Sequence, residues 1–298
     1  MHSGEPFVLS FDVGGSHVTA GLCNLTDLNA VRTAAAPLAS VETFDGFADL
    51  LFGLGTEAAA AETRIEGASL AVPFPFDTEA GVSLMQHKLT YLYGKSLRNA
   101  LAQRFAWAPD RLCFLNDAGA YLLGEVGAGA VKGAHRAVGI TLGTGVGCAF
   151  AIDGAQVTEG DGVPPGGEIW NFPYAGATVE DLISTRAIKS EYLARTGRDL
   201  EVSAIAASAA HDADARDVFL QFGLHLGQVL RDVVAPFHPD MAVIGGGISR
   251  SAQLFLPTTE KQIEGLGFRV VQSALQDLAP LVGAAHFWRK GEVVIARP

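Results

Sequence analysis

The sequence predicts an α/β protein made of two halves, each with the same order of strands and helices. Three observations carry this expectation. Short apolar runs bounded by glycine or proline alternate with stretches of helical spacing. The order strand, glycine turn, returning strand occurs twice, at Phe7–Leu25 and again at Val138–Ile152. Charged residues make up only 18% of the chain and glycines number 35, which suits a densely packed body and not a disordered or coiled-coil chain.

The elements follow in order. Phe7–Phe11 is an apolar run closed by Asp12-Val-Gly-Gly, a strand entering a turn, and Val18–Leu25 is the returning strand. Phe44, Phe47, Leu51 and Leu54 recur at helical spacing within Phe44–Ala61. Ala68–Val72 reads as a buried strand stopped by Pro73 and Pro75. A helix over Leu97–Phe105 and a strand over Leu112–Leu115 complete the order β-β-β-α-β-α-β. The pattern then restarts. Val138–Leu142 and Val146–Ile152 flank a glycine turn, and Asp153-Gly154 is a hairpin turn leading to Gln156 and Val157. Val218, Phe222, Leu226, Val229, Leu230 and Val233 predict a helix inside Asp214–Ala235. Met241–Ile244 is a strand, followed by Gly245-Gly-Gly247, a helix from Ser249, and a last helix over Leu281–Trp288. Two such halves predict two α/β domains facing each other across a cleft, the usual place for a ligand.

Charge and cysteine usage exclude several classes. The formal net charge of -11, with 21 Lys+Arg against 32 Asp+Glu, leaves no basic footprint for nucleic acid. The three cysteines, Cys23, Cys113 and Cys148, form no CxxC pair, which argues against a disulfide framework or a cysteine-rich zinc site and fits a reducing compartment. The eight histidines show no HxxxH or HExxH spacing. Met1–Pro6 lacks the basic and apolar regions of a signal peptide. The uncharged stretch Ala137–Ile152 is broken by glycines and is shorter than the ~20 residues of a membrane-spanning helix. A cytoplasmic protein with no membrane or nucleic-acid partner is expected.

Several motifs carry chemistry. In Asp12-Val-Gly-Gly-Ser16, Gly14 and Gly15 let backbone N–H groups approach phosphate oxygens, Ser16 adds a hydroxyl, and Asp12 could hold a hydrated Mg2+. An ordinary β-hairpin turn would read the same. Gly143-Thr144-Gly145 repeats this chemistry at the equivalent place in the second half, and a pseudo-twofold would point both loops at one phosphate chain. Gly245-Gly246-Gly247 after an apolar strand suits close packing of an adenosine or phosphate, or simply a tight strand-to-helix turn. Asn116-Asp117 ends a strand and opens a helix. Asp117 reads either as a plain helix cap or as a general base for a substrate hydroxyl, its charged form favoured by the helix dipole. Glu168 in Gly-Gly-Glu-Ile and Glu180 in Val-Glu-Asp-Leu are either solvated carboxylates or acceptors for sugar hydroxyls.

Taken together these segments resemble the ROK family of sugar kinases and their relatives, within the actin-like ATPase superfamily. Asp12-Val-Gly-Gly-Ser-His17 is similar to the first phosphate motif, DxGGTK. Asn116-Asp117-Ala118, continuing to Leu123-Gly-Glu125, is similar to NDANAAALGE, whose Asp is the family's catalytic base. Leu142–Gly147 resembles the second phosphate motif, Gly167-Glu-Ile169 the start of GEIGH, and Val179-Glu180 with Ser184–Ile188 the LExxxSGRAI stretch. Ile244–Ile248 resembles the adenosine motif and Leu281–Ala285 the closing helix. The matches keep the family's order over nearly the whole chain.

The resemblance implies two actin-like (ribonuclease H-like) domains with a cleft between them. Residues 1–116 with 283–298 form the smaller one and residues 117–282 the larger. It implies ATP and Mg2+ as cofactors, a homodimer as the assembly, and transfer of the γ-phosphoryl of ATP to the 6-hydroxyl of a hexose, glucose by default. Asp117 would be the base, with Asn116, Glu168, Asn171 and Glu180 beside the sugar. Other hexoses, an N-acetylhexosamine and a polyphosphate donor stay open, as does a non-catalytic ROK sugar sensor, although only Met1–Pro6 precedes the first strand where such regulators carry a DNA-binding segment. The chain also departs from the family. The zinc loop CxCGxxGCxE is missing, with only Phe172–Val179 between Asn171 and Glu180, so no structural zinc is expected. Asn171 replaces the histidine of GEIGH, Trp170 its second glycine, and Ser16-His17 the usual Thr-Lys. Phe74-Pro-Phe-Asp77 stands where Gly-Pro is usual, so the sugar side is where this chain differs most.

Overall fold

The structure, a computed structural model, describes residues 5–59, 64–86 and 88–291. The opening residues 1–4, the last two positions of the helix expected over 44–61, and residues 292–298 lie outside the described residues. Ten strands are named here: β1 (Phe7–Val13), β2 (His17–Asn24), β3 (Ala30–Pro37), β4 (Ile65–Val72), β5 (Leu112–Asn116), β6 (Arg136–Leu142), β7 (Val146–Ile152), β8 (Ala155–Val157), β9 (Met241–Gly245) and β10 (Arg269–Gln272). The principal helices are α1 (Phe44–Ala59), α2 (Leu97–Phe105), α3 (Asp117–Ala128), α4 (Thr185–Thr196), α5 (Ala213–Val229), α6 (Leu256–Ile263) and α7 (Ala279–Lys290).

The chain divides into two compact units, residues 1–129 with 278–298 and residues 130–277. The first holds the sheet β3-β2-β1-β4-β5, in which β1, β2 and β3 form an antiparallel meander and β4 and β5 continue parallel to β1. The second holds β8-β7-β6-β9-β10 with the same succession of antiparallel and parallel pairs. The repeated order expected from the two glycine turns is thus a repeated sheet topology.

In the first unit both sheet faces are covered, and alternation along the strands assigns each residue to a face. Phe7, Leu9 and Phe11 of β1, Leu70 and Val72 of β4, and Leu112 and Phe114 of β5 join Phe47, Leu51, Leu97 and Leu101 of α1 and α2 in one core. The intervening Ala71 and Leu115 face the other way, into a smaller core with Ala120 and Leu123 of α3 and Ala284 and Phe287 of α7. This second core is thin because the two helices touch backbone to backbone. A Cβ on Gly283 would lie 1.7 Å from the Ala120 carbonyl oxygen, and one on Gly124 would lie 2.0 Å from that of Ala279. The division between units therefore follows α3 and does not fall at Asp117, since α3 is seated on α7.

In the second unit Val138, Ile140, Phe150, Ala242 and Ile244 meet Phe219, Phe222 and Leu226 of α5 and Phe255 in a single large core. The helix expected to reach Ala235 is α-helical to Val229, then widens to a π-turn over Leu230–Val234 and a 3₁₀ turn over Ala235–Phe237. Pro236 has no N–H to continue the α-helical ladder. Likewise the helix expected from Ser249 is a 3₁₀ segment over Gly247–Leu254, and the α-helix α6 begins only at Leu256, with Pro257 in its first turn.

Candidate active site

In each unit the candidate residues gather at the carboxyl ends of the parallel strands, where open α/β sheets bind ligands. In the first unit β1 delivers Asp12 and then the loop Gly14–Ser16. The Gly14 N–H donates to the His17 carbonyl at 3.0 Å and the Leu38 N–H to the Ser16 carbonyl at 2.8 Å, which fixes the loop at both ends. Asp12 pairs with Ala71 of β4, and Ala71 with Leu115 of β5. Asp12 is therefore on the sheet face covered by α3 and α7, about 10 Å (two strand spacings) from the end of β5.

There β5 ends at Asn116, whose Oδ1 accepts the Gly119 N–H at 3.0 Å and so caps α3. Asp117 is the first helical residue, and its Oδ1 accepts the Ala118 N–H at 2.8 Å. The cap is Asn116 and not Asp117, so the plain-cap reading of Asp117 is corrected. An N-terminal carboxylate in this position is stabilised in its charged form by the helix dipole.

In the second unit Gly143, Thr144 and Gly145 join β6 to β7, with the Gly143 N–H on the Gly145 carbonyl at 3.1 Å. Two partners hold this loop from behind. The Thr185 N–H at the start of α4 donates to the Gly143 carbonyl at 2.8 Å, and Glu180 Oε2 accepts the Val146 N–H at 3.0 Å. A Cβ on Gly145 would come within 2.7 Å of that same Oε2, so a side chain there would displace the Glu180 carboxylate. Gly246, which follows β9, has a left-handed φ of +79°, and a Cβ on it would strike the Leu142 carbonyl oxygen at 2.4 Å. This turn and the Gly143–Gly145 loop are thereby packed together at the end of β6.

Three glycines remain that the protein's own packing does not demand. Gly15, Gly143 and Gly247 have no left-handed backbone, and a Cβ on each would meet no atom within 4 Å. They leave bare backbone facing outward in all three loops, a surface suited to phosphate oxygens approaching N–H groups.

Of the sugar-side candidates, Asn116 is in the first unit, while Glu168, Asn171 and Glu180 lie on one short stretch of the second. Gly166 and Gly167 both have left-handed φ, +70° and +71°, and turn the chain into Glu168. Glu168 is exposed, and its Oε2 accepts the Trp170 Nε1–H at 2.8 Å. Asn171 is exposed, and its side-chain amide has no hydrogen bond among the described residues. A two-stranded hairpin, Pro173–Tyr174 with Ala177–Thr178, then returns the chain to Glu180, whose N–H donates to the Trp170 carbonyl at 3.0 Å. This hairpin fills the segment between Asn171 and Glu180, where the sequence resemblance expects a zinc loop in the family. Ala175 and Gly176 at its tip both have positive φ, as a tight two-residue hairpin turn requires. The Thr178 hydroxyl and N–H hold the Asp181 carboxyl below its ordinary pKa and start the following helical turn.

Among the described residues no group of three or more His, Cys, Asp or Glu side chains is placed to hold a metal ion, and no helix is long and apolar enough to cross a membrane. Burial raises the thiol pKa of Cys113 to about 11 and of Cys23 to about 12, and that of Cys148 is raised as well. One feature was not among the sequence-derived site residues. Ser184 stands at the N-cap of α4 directly behind the Gly143 loop, fully buried, and its hydroxyl has no hydrogen-bond partner among the described residues. A Ser-Thr pair before a helix is the local signal for such a position.

Comparison with known proteins shows the family and the fold. The model of the ROK family matches residues 8–291. Glucokinase of Thermotoga maritima is 30% identical over 244 residues, which cover 72% of this chain and 76% of that protein. Among solved structures, a ROK family glucokinase of Streptomyces griseus in complex with glucose and AMPPNP superposes with a TM-score of 0.79 at 22% identity, covering 96% of this chain and 100% of that one. The ROK hexokinase of Thermus thermophilus gives 0.77 at 23% identity, covering 94% and 97%. With two five-stranded sheets and ordered motifs from β1 to α7, the chain belongs to the ROK family.

Proposed function

We propose that the protein transfers the γ-phosphoryl group of ATP to the 6-hydroxyl of a hexose, glucose first among them. The observation that carries this is the set of bare glycines, Gly15, Gly143 and Gly247, in three strand-end loops whose glycine content the protein's own packing leaves unexplained. Gly14, Gly15 and Ser16, and likewise Gly143, Thr144 and Gly145, bind phosphate oxygens, and Gly245, Gly246 and Gly247 admit the adenosine. Glucose is put first because the relatives named above include glucokinases, one of them solved with glucose and AMPPNP.

Asp117 accepts the proton of the attacking hydroxyl. Phosphoryl transfer through a loose transition state needs that proton removed only late, so a carboxylate of ordinary basicity suffices. Because Asn116 holds the helix end, the Asp117 carboxylate is not needed as a cap. Asp12, an oxygen donor at the end of β1, suits Mg2+ held through water, as that ion prefers one or two carboxylates. When bound with ATP it would neutralise phosphate charge. Glu168, Asn171 and Glu180 accept and donate hydrogen bonds to the sugar. Asn171 is shorter than the histidine of the family motif and carries no charge, so it leaves a roomier pocket. On this reading the protein works as a cytoplasmic homodimer.

A coupled assay of ADP release against a panel of hexoses and N-acetylhexosamines tests the proposal. Glucose is expected to give the highest kcat/KM, and Asn171→Ala to raise the KM for sugar more than that for ATP. Sugar binding without ADP release from any member of the panel would instead identify a non-catalytic regulator.

A further inference from the structure

The stretch that carries Glu168 and Asn171 also presents an indole to solvent. The Phe172 N–H donates to the Ile169 carbonyl at 3.0 Å, which makes Trp170 and Asn171 the two central residues of a β-turn. Ile169 anchors this turn, fully buried in the core of the second unit, while Trp170 stays 43% exposed. The other tryptophans are used for packing. Trp107 stacks on Phe105 with ring centroids 4.5 Å apart, and Trp288 lies so close to Gly67 that a Cβ there would meet its ring at 2.3 Å.

Trp170 is exposed and yet held in place. Its Nε1–H donates to Glu168 Oε2 at 2.8 Å, and its carbonyl accepts the Glu180 N–H at 3.0 Å. The indole is therefore tied by its edge to one proposed sugar acceptor and by its backbone to another, and Asn171 follows it directly in the turn. Relative to the GEIGH motif that this segment resembles, an aromatic ring has left position 171 and a larger one stands at position 170.

A pyranose offers two kinds of surface. Hydroxyls at its rim exchange hydrogen bonds, and the C–H groups of its ring form an apolar face. Carboxylates and an amide serve the rim. They do nothing for the face. An indole does, because its π-face carries partial negative charge and attracts C–H groups, while its polar N–H stays free to bond at the edge.

We infer that Trp170 is a specificity-determining residue of the acceptor site: its indole packs against the C–H face of the hexose, and its Nε1–H holds the Glu168 carboxylate that accepts the hydroxyls. The inference rests on the acceptor site proposed above. An axial hydroxyl interrupts such a face. Glucose, with its ring hydroxyls at carbons 2, 3 and 4 equatorial, keeps both faces clear. Galactose and mannose carry an axial hydroxyl on one face, and allose carries one on the opposite face. The platform thus selects against the epimers whose axial hydroxyl points at the indole.

Calorimetric titration of the full chain with glucose, galactose, mannose and allose tests this without relying on turnover. The wild type should bind glucose about tenfold more tightly than the epimers obstructed on the stacked face, the size expected of an aromatic contact that is lost. Trp170→Ala should weaken glucose binding by about tenfold, bring it to within about twofold of those epimers, and leave ADP binding as it was. Trp170→Phe keeps an aromatic face and loses the N–H, so it should hold glucose to within about threefold of wild type. Glucose should also shift the tryptophan emission of the wild type and not that of Trp170→Phe, since Trp107 and Trp288 are packed in the first unit. A Trp170→Ala protein that binds glucose like wild type, or a wild type that binds glucose and all its epimers alike, would overturn the inference. A Trp170→Phe protein that falls as far as Trp170→Ala would overturn it too, because the residue would then act through Glu168 alone. If the wild type binds no hexose of the panel, the proposed acceptor site itself is wrong and this inference falls with it.

Discussion

Gly283→Ala should unseat α3 and, with it, the proposed base. The added Cβ would stand 1.7 Å from the Ala120 carbonyl oxygen and 2.7 Å from the Gly124 nitrogen. Carbon and oxygen atoms come no closer than about 3.3 Å in the tightest attractive contacts, so the helices must part by roughly 1.6 Å. The core they enclose, Ala71, Leu115, Ala120, Leu123, Ala284 and Phe287, has no large flexible side chain at the contact to absorb the shift. Overpacking of this severity costs about 3 kcal/mol. At roughly 2–4 °C per kcal/mol, the melting temperature should fall by about 6–12 °C. Because α3 begins at Asp117, the same displacement moves the carboxylate, and a misplacement of about 1 Å can cost on the order of 10²-fold in rate. Thermal unfolding by circular dichroism, paired with the ADP-release assay below the new melting point, reads both effects. A melting temperature within about 2 °C of wild type would refute the reasoning, since even 1 kcal/mol shifts it by that much.

Other outcomes follow from single groups. Asp117→Asn should leave stability almost unchanged because Asn116 holds the cap, while kcat falls by about 10²–10⁴-fold. Asn116→Ala should instead lower stability by about 1 kcal/mol, and a melting experiment showing the two variants with exchanged behaviour would contradict the assignment. Gly143→Ala has room for its methyl group, so its melting temperature should hold while its ADP affinity weakens; unaltered affinity in a titration would remove that loop from the donor site. The raised thiol pKa values keep Cys23 and Cys113 protonated in the folded state at pH 8, so a disulfide reagent should label the protein only as fast as it unfolds. By linkage, these thiols stay protonated when folded but ionise when unfolded. Their contribution is present below pH 9, the ordinary thiol value, and stability should fall as pH rises from 9 towards 11. Rapid labelling of the native protein would show an open site instead.

Most of the sheet framework is legible in the sequence because its signals are local. Phe7–Phe11, Leu112–Leu115 and Val146–Ile152 are apolar runs between glycine or proline breaks, and the structure has strands there. The two glycine hairpins announce the duplication because a turn between paired strands needs particular residues wherever the chain goes next. Helix α4 is less legible, since only Ile188 and Tyr192 of its twelve residues are buried and its helical period is faint. The cap of α3 is Asn116 and not the expected Asp117 for a different reason: both side chains cap equally well, and only the backbone entering the helix decides between them.

What the sequence by itself determined, then, is the alternation that builds each sheet and the bare glycines at strand ends, properties set by a residue and its near neighbours. Tertiary structure alone decided that α3 belongs with the first unit, because the carbonyls that exclude a side chain at Gly124 and Gly283 come from helices far apart in the chain. It also decided that Glu180 buttresses the loop before Val146, and that Thr185 holds the Gly143 carbonyl. Those are contacts between distant segments, and no local pattern of residue types encodes a distance.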